Sequence, residues 1–463
     1  METLEYETIC ALSTPVGLGA IAVIRISGSD TFSMVSKLFF SSSFQSDAIK
    51  DRYAYFGKIR NEKKHIIDEV LLTCFRAPHS YTGEDMAEIS CHGSIFIVKK
   101  IMELLLDEGC VLAEAGAFTQ RAFLNGKMDL TQAEAVMDLI SSHSEASHRL
   151  AMDQMRGGYT KEIEQLRSEL LHFSSMMELE LDFGEEDVEF VDREELKKLL
   201  KKILDKTYTL KSSFSLGNVL KNGIPVAIVG NPNVGKSTLL NALLNEERAI
   251  VSHIPGTTRD TIEESMNIEG ITFRFVDTAG LRHSDNFIEN IGIERTYQAI
   301  GKAYVALYVF DIMQTTAKEV EAAIESFRLH ISDQDKRFIV IANKLDELGE
   351  TPPNFDRFVD LDTIFISAKR KENIGMITDR LVGYFKEHAP EMQMVTSNLR
   401  HYEALSEVEK ALNIVKSGLE KNIPTDLITL DLNQALYHLG SITGQVTNEE
   451  ILSNIFSRFC IGK

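Results

Sequence analysis

Residues 230–237 read Gly230-Asn231-Pro232-Asn233-Val234-Gly235-Lys236-Ser237. This is the complete phosphate-loop pattern G-x-x-x-x-G-K-[ST]. Its two glycines let backbone N–H groups turn inward around a polyphosphate. Lys236 adds a point charge for the β- and γ-phosphates, and Ser237 offers a hydroxyl to Mg²⁺. The context fits: an apolar run, Ile224 to Val229, leads in as a buried strand, and a helix-competent stretch, Thr238 to Asn245, follows. The residues therefore point to a nucleotide site.

Four further elements follow in chain order. Gly256-Thr257-Thr258-Arg259-Asp260 can place a threonine hydroxyl on Mg²⁺. Asp277-Thr278-Ala279-Gly280 ends a strand, so Asp277 can hold the metal through water while the Gly280 N–H meets the γ-phosphate. Asn343-Lys344-Leu345-Asp346 supplies a carboxylate that accepts both guanine N1–H and the N2 amine, which adenine cannot offer. Ser367-Ala368-Lys369 follows the next strand and can meet guanine O6 through backbone N–H. The set predicts GTP as substrate and resembles the translation-factor-like branch of small GTPases. One absence matters. Many such enzymes orient the attacking water with a glutamine just after Asp-Thr-Ala-Gly. Leu281 stands there instead. Candidates to replace it are a monovalent cation near Asn233 and a carboxylate in the loop Leu281–Gly292.

These residues need elements to hold them. At 463 residues, with 44% apolar and 25% charged residues, the chain is a folded protein of several domains. The expected architecture is an α+β N-terminal domain (1–118), an all-α helical domain split in sequence (119–216 and 385–463), and an inserted α/β GTPase domain (217–384) with a mostly parallel sheet. In the first domain Ala20–Ile26 and Val70–Phe75 read as strands and Ile95–Leu106 as a helix. Ala133–Ile140 and Ile163–Leu181 carry helical apolar spacing. Ile224–Val229, Thr272–Val276, Tyr304–Asp311, Arg337–Ala342 and Thr363–Ile366 read as strands alternating with helices, the order of a parallel sheet covered on both faces. The acidic residues Asp182, Glu185, Glu186, Asp187 and Glu189 read as a solvated turn.

A net charge of −20 opposes non-specific nucleic-acid binding, so any RNA must meet a local basic site or a basic partner. Glu2, Glu5 and Glu7 stand where a signal peptide would be basic, and no run is long and apolar enough for a bilayer. Five scattered cysteines fit a reducing cytoplasm rather than a disulfide framework. Cys74, His79, Cys91 and His92 lack metal-ligand pairing and are not read as a metal site. The end, Cys460-Ile461-Gly462-Lys463, leaves three readings open: a poorly matched prenylation box, an inert small apolar residue, or a nucleophile whose thiolate is tuned by Lys463 and the preceding helix.

Taken together, the chain resembles the bacterial and organellar tRNA modification GTPase family, essentially end to end. The marks are Thr14-Pro15, Arg25-Ile26-Ser27-Gly28, Tyr81-Thr82-Gly83-Glu84-Asp85, Arg121-Ala122-Phe123-Leu124-Asn125, Gly256 to Asp260, Ile291-Gly292-Ile293-Glu294 and the terminal tetrapeptide. The resemblance implies an N-terminal domain that binds a tetrahydrofolate, 5,10-methylenetetrahydrofolate or a relative, and mediates homodimerisation. Arg25, Glu88 and Lys127 would line the folate site, with Lys463 nearby. It implies an FAD- and NADH-dependent partner, a heterotetramer with it, tRNA as substrate, and a cytoplasmic enzyme that modifies C5 of a wobble uridine. Cys460 matches the cysteine this chemistry requires. Asn233, Ser252, Ile254 and Thr257 match the K⁺ ligands, Ser237 and Thr258 the Mg²⁺ ligands, and Glu289 the carboxylate that orients water. The nucleotide would also be framed by Val234, Gly235, Thr238, His253, Pro255, Gly256, Thr278 and Ala279. The chain departs at Val16-Gly17-Leu18-Gly19, where many members read Pro-Gly-Arg-Gly.

Overall fold

Alternation builds the first sheet. In Ile21–Ser27 the residues Ala22, Ile24 and Ile26 are buried in one core, which sends Arg25 to the other face. The chain is described here from a computed structural model, over residues 7–45, 48–183, 193–246, 250–251, 264–276, 297–301, 303–330, 337–348, 355–388, 395–421 and 423–463. Its strands are β1 (Ile9–Leu12), β2 (Ile21–Ser27), β3 (Phe39–Phe40), β4 (Tyr53–Arg60), β5 (Ile66–Phe75), β6 (Met86–His92), β7 (Val111–Leu112), β8 (Ile224–Val229), β9 (Ile250–Val251), β10 (Glu264–Ile268), β11 (Ile271–Val276), β12 (Val305–Asp311), β13 (Arg337–Asn343) and β14 (Ile364–Phe365).

Contacts divide the chain into two compact units. One comprises residues 1–140, 154–203 and 407–463; the other comprises 141–153 and 204–406. In the first unit a seven-stranded sheet runs β3-β4-β5-β6-β2-β1-β7, antiparallel except where β1 meets β7. Helices Thr31–Leu38 and Ile95–Asp107 cover one face, over a core that includes Val35, Ile101, Leu72 and Ile89. Arg25 and Glu88 are directly opposed across β2 and β6 on the other face. The same unit holds helices Gly158–Phe183 and Thr425–Thr443. Ile163, Leu166, Leu170, Phe173 and Met177 on the first, and Ile428, Leu432, Ala435, Leu439 and Ile442 on the second, are buried at alternating three- and four-residue spacing. That spacing lines one apolar face on each helix, the pattern of helices that pack along their length.

In the second unit the order is β14-β13-β12-β8-β11-β10-β9. β14, β13, β12, β8 and β11 are parallel, and β10 and β9 add antiparallel strands at one edge. β12 is buried throughout, as a central strand between two helical layers must be. Helices Lys236–Leu244 and Ile374–His388 pack one face through Leu239, Leu243, Ile377 and Leu381. Ala317–His330 and Phe355–Asp360 pack the other through Val320 and Phe358. The sequence reading finds five of these strands and omits β9 and β10. β10 turns into β11 through Glu269 and Gly270, both with positive φ (50° and 80°), the geometry of a tight hairpin. Its Glu-Ser-Met-Asn-Ile run hides the strand because Glu264 and Ser265 are buried polar residues.

Candidate functional site

The phosphate loop leaves β8 where the sheet order reverses, with β11 on one side of β8 and β12 on the other. In doubly wound sheets, ligands bind at such a point. Helix Lys236–Leu244 starts directly from the loop. Gly235 holds φ 96°, and a side chain on it would run into the Asn343 carboxamide. Asn233 is also left-handed, at φ 62°. The result is a concave run of backbone at a helix N-terminus, the form of an anion cradle. The Lys236 ammonium donates to the carbonyls of Gly230 (2.9 Å) and Asn231 (2.8 Å) at its mouth. Burial lowers the Lys236 pKa, so this cation gains from a facing polyphosphate. The cradle and its half-buried lysine fit a nucleotide.

The base-reading loops join the same site through one side chain. Asn343 is buried at the end of β13. Its Nδ2 donates to the Val234 carbonyl (2.7 Å) and its Oδ1 accepts from the Ala368 N–H (3.0 Å). It thus ties the phosphate loop to Ser367-Ala368-Lys369. Asp346 accepts from the Ser367 hydroxyl (2.6 Å), and that bond holds its carboxyl below the usual range. Ser367 and Glu372 exchange backbone hydrogen bonds that close the loop. Lys344 reaches the buried Asp311 carboxylate at 2.7 Å, which raises the lysine pKa. Asp311 is a site residue the sequence reading does not single out. Its signal is its place at the end of β12, in register with Asn343.

A second constellation lies on the open face of the N-terminal sheet. Arg25 donates from Nε and Nη2 to Glu88 Oε1, at 3.0 and 2.8 Å. Its guanidinium carbon lies 5.2 Å from the Tyr81 ring centroid and 5.6 Å from that of Phe118. The carbonyl of Gly462 accepts from both Arg25 Nη1 (3.4 Å) and Ser13 Oγ (3.1 Å). Ile461 forms an isolated bridge with Ala115. Gly462 holds φ 89°, and any side chain there would collide with the Leu12 carbonyl. Cys460 is exposed. The Lys463 N–H turns back to the Cys460 carbonyl at 3.3 Å. Lys127 donates to the Pro78 carbonyl (2.8 Å) and packs at Gly83, on the loop that carries Tyr81.

Thus Arg25, Glu88 and the Cys460–Lys463 segment converge, while Lys127 approaches through the 78–83 loop. Phe118 and Ser13 are the partners that the sequence reading did not mark, whereas Tyr81 opens one of its motifs. An adjacent network, Ser27 to Glu84 (2.8 Å) and Arg121 to Glu84 (3.0 Å), fixes that loop to β2. Cys74 and Cys91 are core residues whose thiols burial pushes up, to about 12 and about 11. Val16 and Leu18, at the departure from the family pattern, are each 89% exposed. Ser252, His253, Ile254, Pro255, Gly256, Thr257, Thr258, Asp277, Thr278, Ala279, Gly280 and Glu289 lie outside the described residues, as do the loop Leu281–Gly292 and the acidic side chains from Asp182 to Glu189. Among the described residues, no helix is long and apolar enough to cross a membrane.

A phosphate cradle at the switch point of a mostly parallel sheet, tied to an Asn-Lys-x-Asp loop, defines a guanine-nucleotide-binding protein of the phosphate-loop class. The family model described as GTP-binding protein TrmE N-terminus matches residues 8–127, and the MnmE helical domain model matches 130–460. The tRNA modification GTPase MnmE of Cytophaga hutchinsonii is 48% identical over 462 residues, covering 100% of this chain and 99% of the relative. That of Flavobacterium johnsoniae is 50% identical over 467 residues, covering 99% and 100%. Among solved structures, the G domain of the T. maritima FeoB iron transporter is 23% identical over 35% of this chain and 98% of that chain, with a TM-score of 0.25. The chain belongs to the MnmE family of tRNA modification GTPases, and it is a GTP hydrolase.

Proposed function

We propose that this chain is a K⁺-stimulated GTPase that, with an FAD- and NADH-dependent partner, installs an aminomethyl or carboxymethylaminomethyl group at C5 of the wobble uridine of certain tRNAs. The relatives' names support the tRNA substrate. The observation that carries the reading is the Gly462 carbonyl shared by Arg25 and Ser13, which sets the segment bearing Cys460 beside the Arg25–Glu88 pair. A part-exposed carboxylate acceptor beside a fixed guanidinium suits an N–H-rich heterocycle such as a reduced pterin. A bound 5,10-methylenetetrahydrofolate would supply the one-carbon unit. Glu88 would accept from the heterocycle, and Arg25 would hold both Glu88 and the Cys460–Lys463 segment in place. Lys127 and Lys463 would complete the rim.

At the nucleotide site, Ser237 and Thr258 would hold Mg²⁺. Asn233, Ser252, Ile254 and Thr257 would hold K⁺ in place of an arginine finger, and Glu289 would orient the attacking water. Residues 1–118 would bind folate and dimerise, 217–384 would hydrolyse GTP, and 119–216 with 385–463 would form the helical domain. The homodimer would work in the cytoplasm within a heterotetramer. The test is nucleoside analysis of tRNA from cells lacking the protein, then supplied with Cys460→Ser. The reading expects loss of the wobble modification with K⁺-stimulated GTP turnover retained. Restoration by Cys460→Ser would remove the assigned role of that thiol. Unchanged nucleosides in the deletion would leave a GTP-driven switch or assembly factor instead.

A further inference from the structure

The chain carries a net charge of −20, yet residues 50–64 hold six Lys or Arg against two Asp or Glu. They run through β4, which only the two-residue β3 separates from the edge of the N-terminal sheet. The pleat sends Tyr55 and Ile59 into the core and leaves Phe56 60% exposed, with Lys58 and Arg60 partly exposed along the strand. Phe40 is opposite Lys58 across the ladder and is 42% exposed. The Arg60 guanidinium lies 4.8 Å from the Phe40 ring centroid. Among the described residues, Arg60 Nε is buried without a hydrogen-bond partner. An open cavity of about 810 Å³ is lined by Phe40, Phe44, Phe56, Lys58, Arg60 and neighbouring serines.

Exposed rings interleaved with cations call for a ligand with flat apolar faces and regularly spaced negative charge. Unpaired nucleotides have both. A duplex hides its base faces, and an acidic peptide lacks the rings to stack. Lys58 pairs with Glu69 at 3.0 Å, but both are well exposed, and such a pair exchanges readily for a phosphate. We propose that this edge of the N-terminal sheet docks an unpaired segment of RNA, with bases stacking on Phe56 and Phe40 and phosphates meeting Lys58 and Arg60. The proposal rests on the reading of the chain as an RNA-modifying enzyme and adds to it the surface that holds the substrate.

The test is fluorescence anisotropy on the full chain, with a labelled RNA hairpin bearing an unpaired loop and a fully paired duplex of equal length. The hairpin should bind more tightly. Phe56→Leu keeps an apolar side chain but removes the stacking face, and should weaken hairpin binding about tenfold, whereas Phe56→Tyr should bind like the parent. Lys58→Gln and Arg60→Gln should each lower the slope of log affinity against log salt by about 0.7. Equal binding of hairpin and duplex, or a Phe56→Leu variant with parental affinity, overturns the proposal. So does a change in oligomeric mass by light scattering with RNA affinity intact, because a second copy would then occupy this edge. Wobble-uridine modification in cells separates the two readings. If Cys460→Ser removes it and Phe56→Leu leaves RNA affinity unchanged, only the docking surface is wrong. If Cys460→Ser leaves it in place while Phe56→Leu weakens RNA binding, the assigned chemistry is wrong and the surface stands.

Discussion

Asn343 is the side chain whose loss should be felt at both ends of the nucleotide site. It is 3% exposed, and its amide serves two backbone groups, the Val234 carbonyl and the Ala368 N–H. Asn343→Ala orphans both. A buried polar group left unpaired costs about 1–3 kcal/mol, so the pair should cost about 2–4 kcal/mol once water partly fills the gap. Asn343→Asp is the sharper probe. Its carboxylate still accepts from Ala368 but turns an oxygen on the Val234 carbonyl, and the nearby Lys344 is engaged with Asp311. At neutral pH the aspartate should therefore be worse than the alanine. Burial and the facing carbonyl would raise the introduced carboxyl's pKa, so the penalty holds above that raised value and is relieved as pH falls through it, when the acid donates to Val234. The order of the two variants should reverse in mild acid. Urea melts followed by circular dichroism give the stability. Affinity for a fluorescent guanine nucleotide gives the function, against a low protein background because the chain has no tryptophan. An alanine variant within about 1 kcal/mol of the parent, with unchanged nucleotide affinity, would refute the coupling of the two loops through Asn343.

Other outcomes follow from the same site. Asp346→Asn should lose guanine affinity by about tenfold or more and gain xanthine nucleotides, read by competition binding; equal ATP and GTP binding by the parent would sink the guanine assignment. Because the Ser367 hydroxyl holds the Asp346 carboxyl low, GTP binding should persist as pH falls below the ordinary carboxylate value of about 3.9 and fail only near the lowered one. Ser367→Ala should move that acid limit upward, and an unmoved limit would show that the hydroxyl is not the cause. GTP turnover should be several-fold faster in KCl than in NaCl at matched ionic strength, and Asn233→Ala should erase the difference; a parent indifferent to the cation would exclude a potassium role.

Much of the nucleotide site was legible because each part is a short run of fixed types. Gly235, Lys236, Asn343, Asp346 and Ser367 each sit in a motif run, and hydrogen bonds join those runs to one another. Asp311 was not legible. Its motif is a single acidic residue closing an apolar strand, and only the parallel register with Asn343 brings it to Lys344. Phe118 escaped for a similar reason, since a ring in a sequence reads as core until the backbone sets a guanidinium over it. β10 escaped because its buried positions include Glu264 and Ser265, which break the alternation that marks a strand. What the reading recovered is local chemistry; what it lacked is the register between segments far apart in the chain.

The Ser13–Gly462 hydrogen bond joins residues 449 positions apart. Bonds of such span bear on biosynthesis. A ribosome releases the N-terminal sheet early, but the Gly462 contacts to Arg25 and Ser13 cannot form until residue 462 has emerged. The nucleotide-binding sheet, whose strands all fall between residues 224 and 365, can close long before that. A nascent chain therefore gains its GTP site before its second site is finished. Translation that stops a few codons short of residue 460 would yield a protein that still turns over GTP but lacks the Gly462 contact to Arg25 and Ser13.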